Sequence, residues 1–155
     1  MNTPVEASTL NKYLVEVDTQ GLNVEVCVDE RYKDEVFVIV DGKIYSINKD
    51  NQLVDTNEVF IQPFGDYSVT QTIDNGETFG FPRYAHKGIK MWINCSGDLE
   101  RRKAYINHGT DLLVSVTGST SNIGTIGTAP EDDYYSFYCT NMSAVRCTWT
   151  LTASF

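Results

Sequence analysis

Residues Cys147-Thr-Trp-Thr-Leu-Thr-Ala-Ser154 alternate between two kinds of side chain. The odd-numbered positions carry Cys, Trp, Leu and Ala, whereas the even-numbered positions carry Thr or Ser. Because successive side chains of a β-strand point to opposite faces of a sheet, this period of two predicts a strand with one buried face and one polar face. Such strands are typical of antiparallel sheets that cover a core on one side only.

The same period recurs along most of the chain. Asp41-Gly42 and Asp74-Asn75-Gly76 separate neighbouring segments of this kind, and their residue types favour the positive φ angles of tight hairpin turns. Residues 118–130 are rich in Gly, Ser and Thr, which predicts a loop. We predict further strands at residues 13–18, 22–29, 36–40, 43–47, 58–61, 69–73, 78–81, 89–94, 103–107, 112–117 and 134–139.

Helical periodicity is confined to short candidates at residues 5–13 and 98–103. Many short strands separated by Gly and Asx turns predict an all-β fold with little helix. The fold is either an antiparallel two-sheet sandwich that is jelly-roll-like or a flattened barrel. No shift in composition divides the 155 residues. We therefore expect an N-terminal arm at residues 1–11 and a single β-sandwich domain at residues 12–155.

Four cysteines occur, and their spacing excludes an immunoglobulin domain, because no Trp follows Cys27 at the interval that this fold requires. No Cys-x-x-Cys pair is present and the chain has only two histidines, so we predict neither a metal site nor a cofactor. A hairpin centred on Ser143 would place Cys139 opposite Cys147. In a reducing compartment, however, cysteines are predicted to be small buried packing residues.

The net charge of −9 is unevenly distributed. Residues 1–82 carry 5 basic and 15 acidic side chains, whereas residues 83–103 carry 6 basic and 2 acidic ones. The acidic balance argues against nucleic acid as a partner, and no apolar run of about 18 residues predicts a membrane span. Arg101, Arg102 and Lys103 end the basic segment. This segment is predicted to be a solvated edge or a surface that binds the acidic half of a second copy.

Two histidines are the candidates for acid–base chemistry. His86 is followed by Lys-Gly and His108 by Gly-Thr, and neither pattern completes a known catalytic motif. Ordinary loop histidines are therefore predicted, with a small hydrolase using His86 or His108 as an alternative. The carboxylates at positions 98 and 100, and at 131–133, lack the ligand spacing of a Ca²⁺ loop, so we expect solvated turns there.

Aromatic residues are concentrated near the C-terminus, where Tyr134, Tyr135, Phe137 and Tyr138 fall within one predicted strand. Alternation places Tyr134 and Tyr138 on one face and the other two on the opposite face, so a half-buried strand must present one pair outward. Exposed tyrosines beside acidic and hydroxyl residues would stack on sugars or anchor a protein interface. A strand covered on both faces is the alternative.

These observations predict a non-enzymatic β-sandwich that acts by binding and assembly. The leading hypothesis is a structural component of a virus particle, such as a capsid decoration or tail-fibre protein of a phage, which associates with its own copies or with other virion proteins. The alternative is a lectin-like carbohydrate-binding module that uses Tyr134, Tyr135, Tyr138 and the 118–133 segment. The N-terminus lacks the basic and apolar regions of a signal peptide, so we expect synthesis in the cytoplasm and a final location in the virion.

Overall fold

The computed structural model describes residues 11–60 and 67–154. Within these residues the chain forms thirteen strands and one short 3-10 helix, Glu30–Glu35. The strands are β1 (Leu14–Val17), β2 (Val24–Asp29), β3 (Phe37–Val40), β4 (Lys43–Ile47), β5 (Leu53–Val59), β6 (Tyr67–Ile73), β7 (Thr78–Ala85), β8 (Lys90–Gly97), β9 (Arg102–His108), β10 (Asp111–Gly118), β11 (Asn122–Thr128), β12 (Asp133–Asn141) and β13 (Cys147–Ser154).

The strands form two antiparallel sheets that pack as a sandwich. Sheet I has the order β1-β2-β10-β9-β12-β7, and sheet II has the order β5-β4-β3-β11-β8-β13-β6. The predicted all-β sandwich with little helix is thus confirmed. The alternative of a flattened barrel is wrong, because in the described part of the chain neither sheet closes on itself and both keep two edge strands.

The connectivity of β6 to β13 is that of a jelly roll. Strand β6 pairs with β13, β7 with β12, β8 with β11 and β9 with β10, and these nested pairs belong alternately to sheet II and sheet I. An antiparallel ribbon that turns at Gly109, whose φ is 62°, and then folds over into two sheets has this connectivity. Strands β1 and β2 extend sheet I beside β10, and β3 to β5 extend sheet II beside β11.

Alternate side chains of the two inner faces form the core. Trp149 and Leu151 of β13 are fully buried, as is Phe137 of β12 in the opposite sheet. The indole Nε1 of Trp149 donates to the backbone carbonyl oxygen of Asp98 at 2.8 Å, so its one polar group has a partner. The strand predicted from the alternation at residues 147–154 is confirmed, with its Cys, Trp, Leu and Ala side chains buried.

The outer face of the same strand carries a row of paired hydroxyls. The hydroxyl of Thr150 lies 2.7 Å from that of Thr70, and the hydroxyl of Thr148 lies 2.7 Å from that of Thr72. These contacts join β13 to the edge strand β6. Cross-strand Thr pairs stabilise neighbouring strands, so this polar face also fixes the position of β6.

The predicted loop at residues 118–130 is wrong, because it contains β11, an inner strand of sheet II between β3 and β8. A side chain at Gly124 would overlap the backbone carbonyl of Ile93 and lie 3.0 Å from the Cα of Asn94. Small residues therefore allow the strands to approach closely here. The same Gly-rich composition has a low strand propensity, and for that reason the local sequence predicted a loop.

Two turn predictions have different outcomes. Asp41 and Gly42 have φ angles of 51° and 81° and join β3 to β4 in the predicted hairpin. Residues 74–76 also form a turn, but the hairpin predicted there is wrong, because β6 and β7 belong to different sheets. Both turns are built from Asp, Asn or Gly, but in the second only Gly76 has a positive φ. Strand β6 pairs with β13 and β7 with β12, so this turn connects the two sheets.

The helix prediction at residues 98–103 is wrong, since β9 begins at Arg102. The 3-10 helix is instead Glu30–Glu35, where the Asp29 side chain accepts from the backbone N–H of Arg31 at 3.0 Å. Its charged residues show no apolar period, so the sequence pattern did not indicate it. Of the helices in the described part of the chain, none is long and apolar enough to span a membrane.

Two further predictions concern the N-terminus and the cysteines. Residues 1–10 of the predicted arm lie outside the described residues, as does most of the helix candidate at 5–13. Asn11 is buried, and its Nδ2 donates to the backbone carbonyl of Leu112 at 2.9 Å. The hairpin that would place Cys139 opposite Cys147 is wrong, because these residues lie on β12 and β13 in different sheets.

Candidate binding surface

The aromatic residues predicted to bind a partner are divided by the register of β12. Tyr134 is 63% exposed and Tyr138 is partly exposed, both on the outer face of sheet I. Tyr135 and Phe137 point into the core and are buried. Within this chain, only Tyr134 and Tyr138 of the four are therefore available on the surface.

Each outward tyrosine of β12 has a tyrosine neighbour on an adjacent strand. Tyr134 lies opposite Tyr84 of β7, with ring centroids 5.3 Å apart in an edge-to-face arrangement. Tyr138 lies opposite Tyr105 of β9, with ring centroids 5.4 Å apart. We call these four residues the tyrosine face. Both contacts lie within the separation at which aromatic pairs attract each other.

The Tyr105–Tyr138 pair is fixed by its surroundings. Gly80 lies opposite Tyr138, and a Cβ at Gly80 would stand 2.6 Å from the Tyr138 ring, so the missing side chain leaves room for that ring. The hydroxyl of Tyr105 lies 3.2 Å from that of Thr140. Burial raises the pKa of Tyr105. These rings therefore present a fixed, partly covered surface.

Polar groups lie beside these rings on the same face. Ser136 stands between Tyr134 and Tyr138 on β12 and lies opposite Asn107 of β9. The Lys103 ammonium lies 4.8 Å from the centre of the Tyr105 ring. Partial burial lowers the pKa of Lys103. Flat rings interleaved with hydroxyl, amide and ammonium groups can stack on an apolar surface while hydrogen-bonding its polar edge.

The basic residues predicted to form one assembly surface differ in their burial and in their contacts. Arg101 forms an ion pair with Glu25 of the same chain. Arg102 is fully buried, and its guanidinium donates to the backbone carbonyl of Cys95 at 2.8 Å. Lys103 belongs with the tyrosine face. Arg102 is therefore unavailable on the surface, whereas Arg101 and Lys103, which precede and follow it, are partly exposed and contact different residues.

Both histidines contact carboxylates at or just before the start of β12. His86 Nδ1 is 3.7 Å from Asp132, in an exposed pair. His108 Nε2 is 2.9 Å from Asp133 Oδ2, and its Nδ1 is 3.8 Å from Glu131. The hydrogen bond with His108 lowers the pKa of Asp133. Both ring nitrogens of His108 thus face carboxylates of the same chain, and these contacts connect the end of β9 to the start of β12.

Among residues 11–60 and 67–154, no group of three or more His, Cys, Asp or Glu side chains is arranged to hold a metal ion. The carboxylates at positions 131–133 are exposed; Glu131 and Asp133 face His108, and Asp132 faces His86.

Neither a scan against models of known protein families nor a search of curated proteins finds a match to this chain. The function must therefore be inferred from the chemistry of the surface.

Sequence reasoning missed Tyr84 and Tyr105 as members of this surface. Tyr105 could have been found, because alternation in the predicted strand at 103–107 places it on the same face as Lys103. Tyr84 lies beyond the end of the strand predicted at 78–81, which the structure extends to Ala85. Which strands lie beside β12 depends on long-range pairing, and no local pattern encodes that.

Proposed function

We propose that this protein is a non-enzymatic jelly-roll protein that functions by binding and assembly, as a structural component of a virus particle. A capsid decoration or tail-fibre protein of a phage is the role we assign. The tyrosine face on a jelly-roll sheet is the observation that carries the proposal. Jelly rolls are the architecture of many viral capsid domains and also of lectins, so the choice between these two functions rests on the chemistry of the exposed surface.

The tyrosine face has the properties of a protein interface. Tyr134 and Tyr84 are 63% and 43% exposed although they stand on paired strands in a sheet. Tyrosine is enriched among the residues that dominate interface energetics, and a ring held on a rigid strand loses little conformational freedom on binding. The partner that fits this role is a second copy of the chain or another virion protein.

Sedimentation velocity tests this role with the double variant Tyr84→Ser/Tyr134→Ser. We expect the unmodified protein to form a defined oligomer and the double variant to shift toward monomer, because the exposed aromatic pair is lost. Tyr13→Ser is the matched control, since Tyr13 is 39% exposed and contacts Arg31 outside the tyrosine face. Far-ultraviolet circular dichroism checks that each variant remains folded. An unmodified protein that stays monomeric at every concentration contradicts self-assembly.

Glycan binding is the second candidate, and the Tyr105–Tyr138 pair favours it. The polar side chains of Asn107, Ser136 and Thr140 stand beside these two rings. A sugar offers an apolar face for stacking and hydroxyls for hydrogen bonds, which is the complement of this arrangement. Two results together would favour this function over assembly. The protein would be a monomer that binds a glycan on an array, and Tyr138→Ser would weaken this binding about tenfold.

A further inference from the structure

Two buried cysteines meet between the sheets. Cys95 lies on β8 of sheet II and Cys139 on β12 of sheet I, and their Sγ atoms are 3.3 Å apart. Both residues are fully buried. We propose that Cys95 and Cys139 form a redox site, which a small oxidant of the peroxide class converts into a disulfide that joins the two sheets.

The contact distance supports this step. A disulfide bond is about 2.05 Å long, so the two sulfurs need to approach by little more than about 1 Å. Because the thiols already lie within hydrogen-bonding distance, no rearrangement of strand order is required. Cysteines 44 positions apart along the chain are thus brought together by the sandwich itself.

The surroundings give the two thiols different roles. The hydrogen bond between the two thiols holds the pKa of Cys95 below its ordinary value, although burial opposes this, and the charge of Arg102 acts in the same direction. The hydrogen bond with Cys95 and burial raise the pKa of Cys139. A thiolate is the reactive form of cysteine, and the Arg102 guanidinium, which donates to the Cys95 carbonyl oxygen at 2.8 Å, places a positive charge beside this residue. Cys95 is therefore the nucleophile and Cys139 the resolving thiol.

The reaction with hydrogen peroxide balances in two steps. The Cys95 thiolate attacks one peroxide oxygen, the O–O bond breaks, hydroxide leaves, and Cys95 becomes a sulfenic acid. The sulfur of Cys139 then attacks the sulfur of Cys95, the S–S bond forms, and the S–O bond breaks. The departing hydroxide takes a proton to become water. Together the two thiols lose two protons and two electrons, and the peroxide is reduced to two molecules of water.

The other two thiols provide controls. Cys147 is buried as well, but its Sγ lies 3.5 Å from the hydroxyl of Ser143 and 3.4 Å from the carbonyl oxygen of Val145. Cys27 is half-buried on β2. Replacing Cys27 with Ser removes the thiol best placed to link two chains.

The experiment treats the Cys27→Ser protein with hydrogen peroxide and measures its intact mass and a non-reducing peptide map. We expect the loss of two hydrogen atoms and a peptide pair that links Cys95 to Cys139. Closing this loop should raise the Tm by about 10 °C, reversibly on reduction. Adding Cys147→Ala should leave the cross-link unchanged, whereas adding Cys95→Ala should abolish it.

Three results would overturn the proposal. They are an unchanged mass, a gain of oxygen without a cross-link, and a disulfide that involves Cys147. If the Cys95→Ala variant does not fold, the peptide map of the Cys27→Ser protein alone tests the proposal, because it identifies the linked residues directly.

Discussion

Replacing Arg102 with Met removes a buried guanidinium while keeping most of the apolar volume of the side chain. Arg102 is fully buried at the start of β9. Its guanidinium donates to the backbone carbonyl oxygens of Cys95 at 2.8 Å, Ser121 at 3.1 Å and Glu100 at 3.3 Å. It also lies 5.8 Å from the ring of Trp149. These acceptors lie on β8, just before β9 and just before β11, so Arg102 connects three parts of the chain at one end of the sandwich.

The expected loss of stability follows from these contacts. A hydrogen bond that involves a charged group contributes about 1.5–3 kcal/mol. The Nε–H of Arg102 is buried without an acceptor among the described residues, which offsets part of this gain. We therefore expect Arg102→Met to lower the free energy of unfolding by about 3 kcal/mol, because buried backbone carbonyls lose their charged donor. For a chain of this length, the Tm should fall by about 6–12 °C.

Urea denaturation followed by circular dichroism measures this difference. Arg101→Ala is the control, because Arg101 is 42% exposed in its ion pair with Glu25, and such pairs contribute about 0–1 kcal/mol. If Arg102→Met unfolds at the same urea concentration as the Arg101→Ala control, the buried guanidinium contributes no more stability than an exposed ion pair, contrary to this prediction.

Two further predictions concern a close strand contact and a buried carboxylate. Gly80→Ala should lower the free energy of unfolding by about 1–3 kcal/mol, because the added Cβ would overlap the Phe137 carbonyl. Gly127→Ala, whose Cβ would meet only a Val114 methyl at 4.0 Å, should cost less in the same urea titration. Burial raises the pKa of Asp29, but hydrogen bonds from Arg31 outweigh this effect and hold the pKa below its usual range. The stabilisation from this carboxylate is therefore complete above the unfolded pKa of about 3.9 and is lost as the pH falls through the lower folded value. The Tm difference between the unmodified protein and Asp29→Asn should shrink below about pH 4, and a difference that is constant with pH would contradict this.

The local pattern predicted strands well where one face is polar and the other apolar. The alternation at residues 147–154 indicated which side chains of β13 are buried. It failed for β11, whose glycines and threonines carry no clear period although the strand lies inside sheet II. Strand propensity mainly reflects packing against neighbours, so a strand that needs small residues for close approach resembles a loop in its sequence.

The candidate surface was predictable only in part. Alternation showed that Tyr134 and Tyr138 share a face, but not whether that face is the outer one. The basic segment likewise gave no sign that Arg102 is buried while Arg101 is exposed. Adjacent residues of a strand point in opposite directions, so one continuous run of charge is divided between the interior and the surface.

The all-β class, most of the strands and the Asp41-Gly42 hairpin are predictable from local sequence, because they depend on side-chain period and on φ preferences within a few residues. The nested pairing of β6 to β13, the neighbours of Tyr138 and the contact between Cys95 and Cys139 are visible only in the folded chain. These contacts join residues far apart in the chain. They are selected by the burial of complementary faces of two whole sheets, and no local segment contains that information.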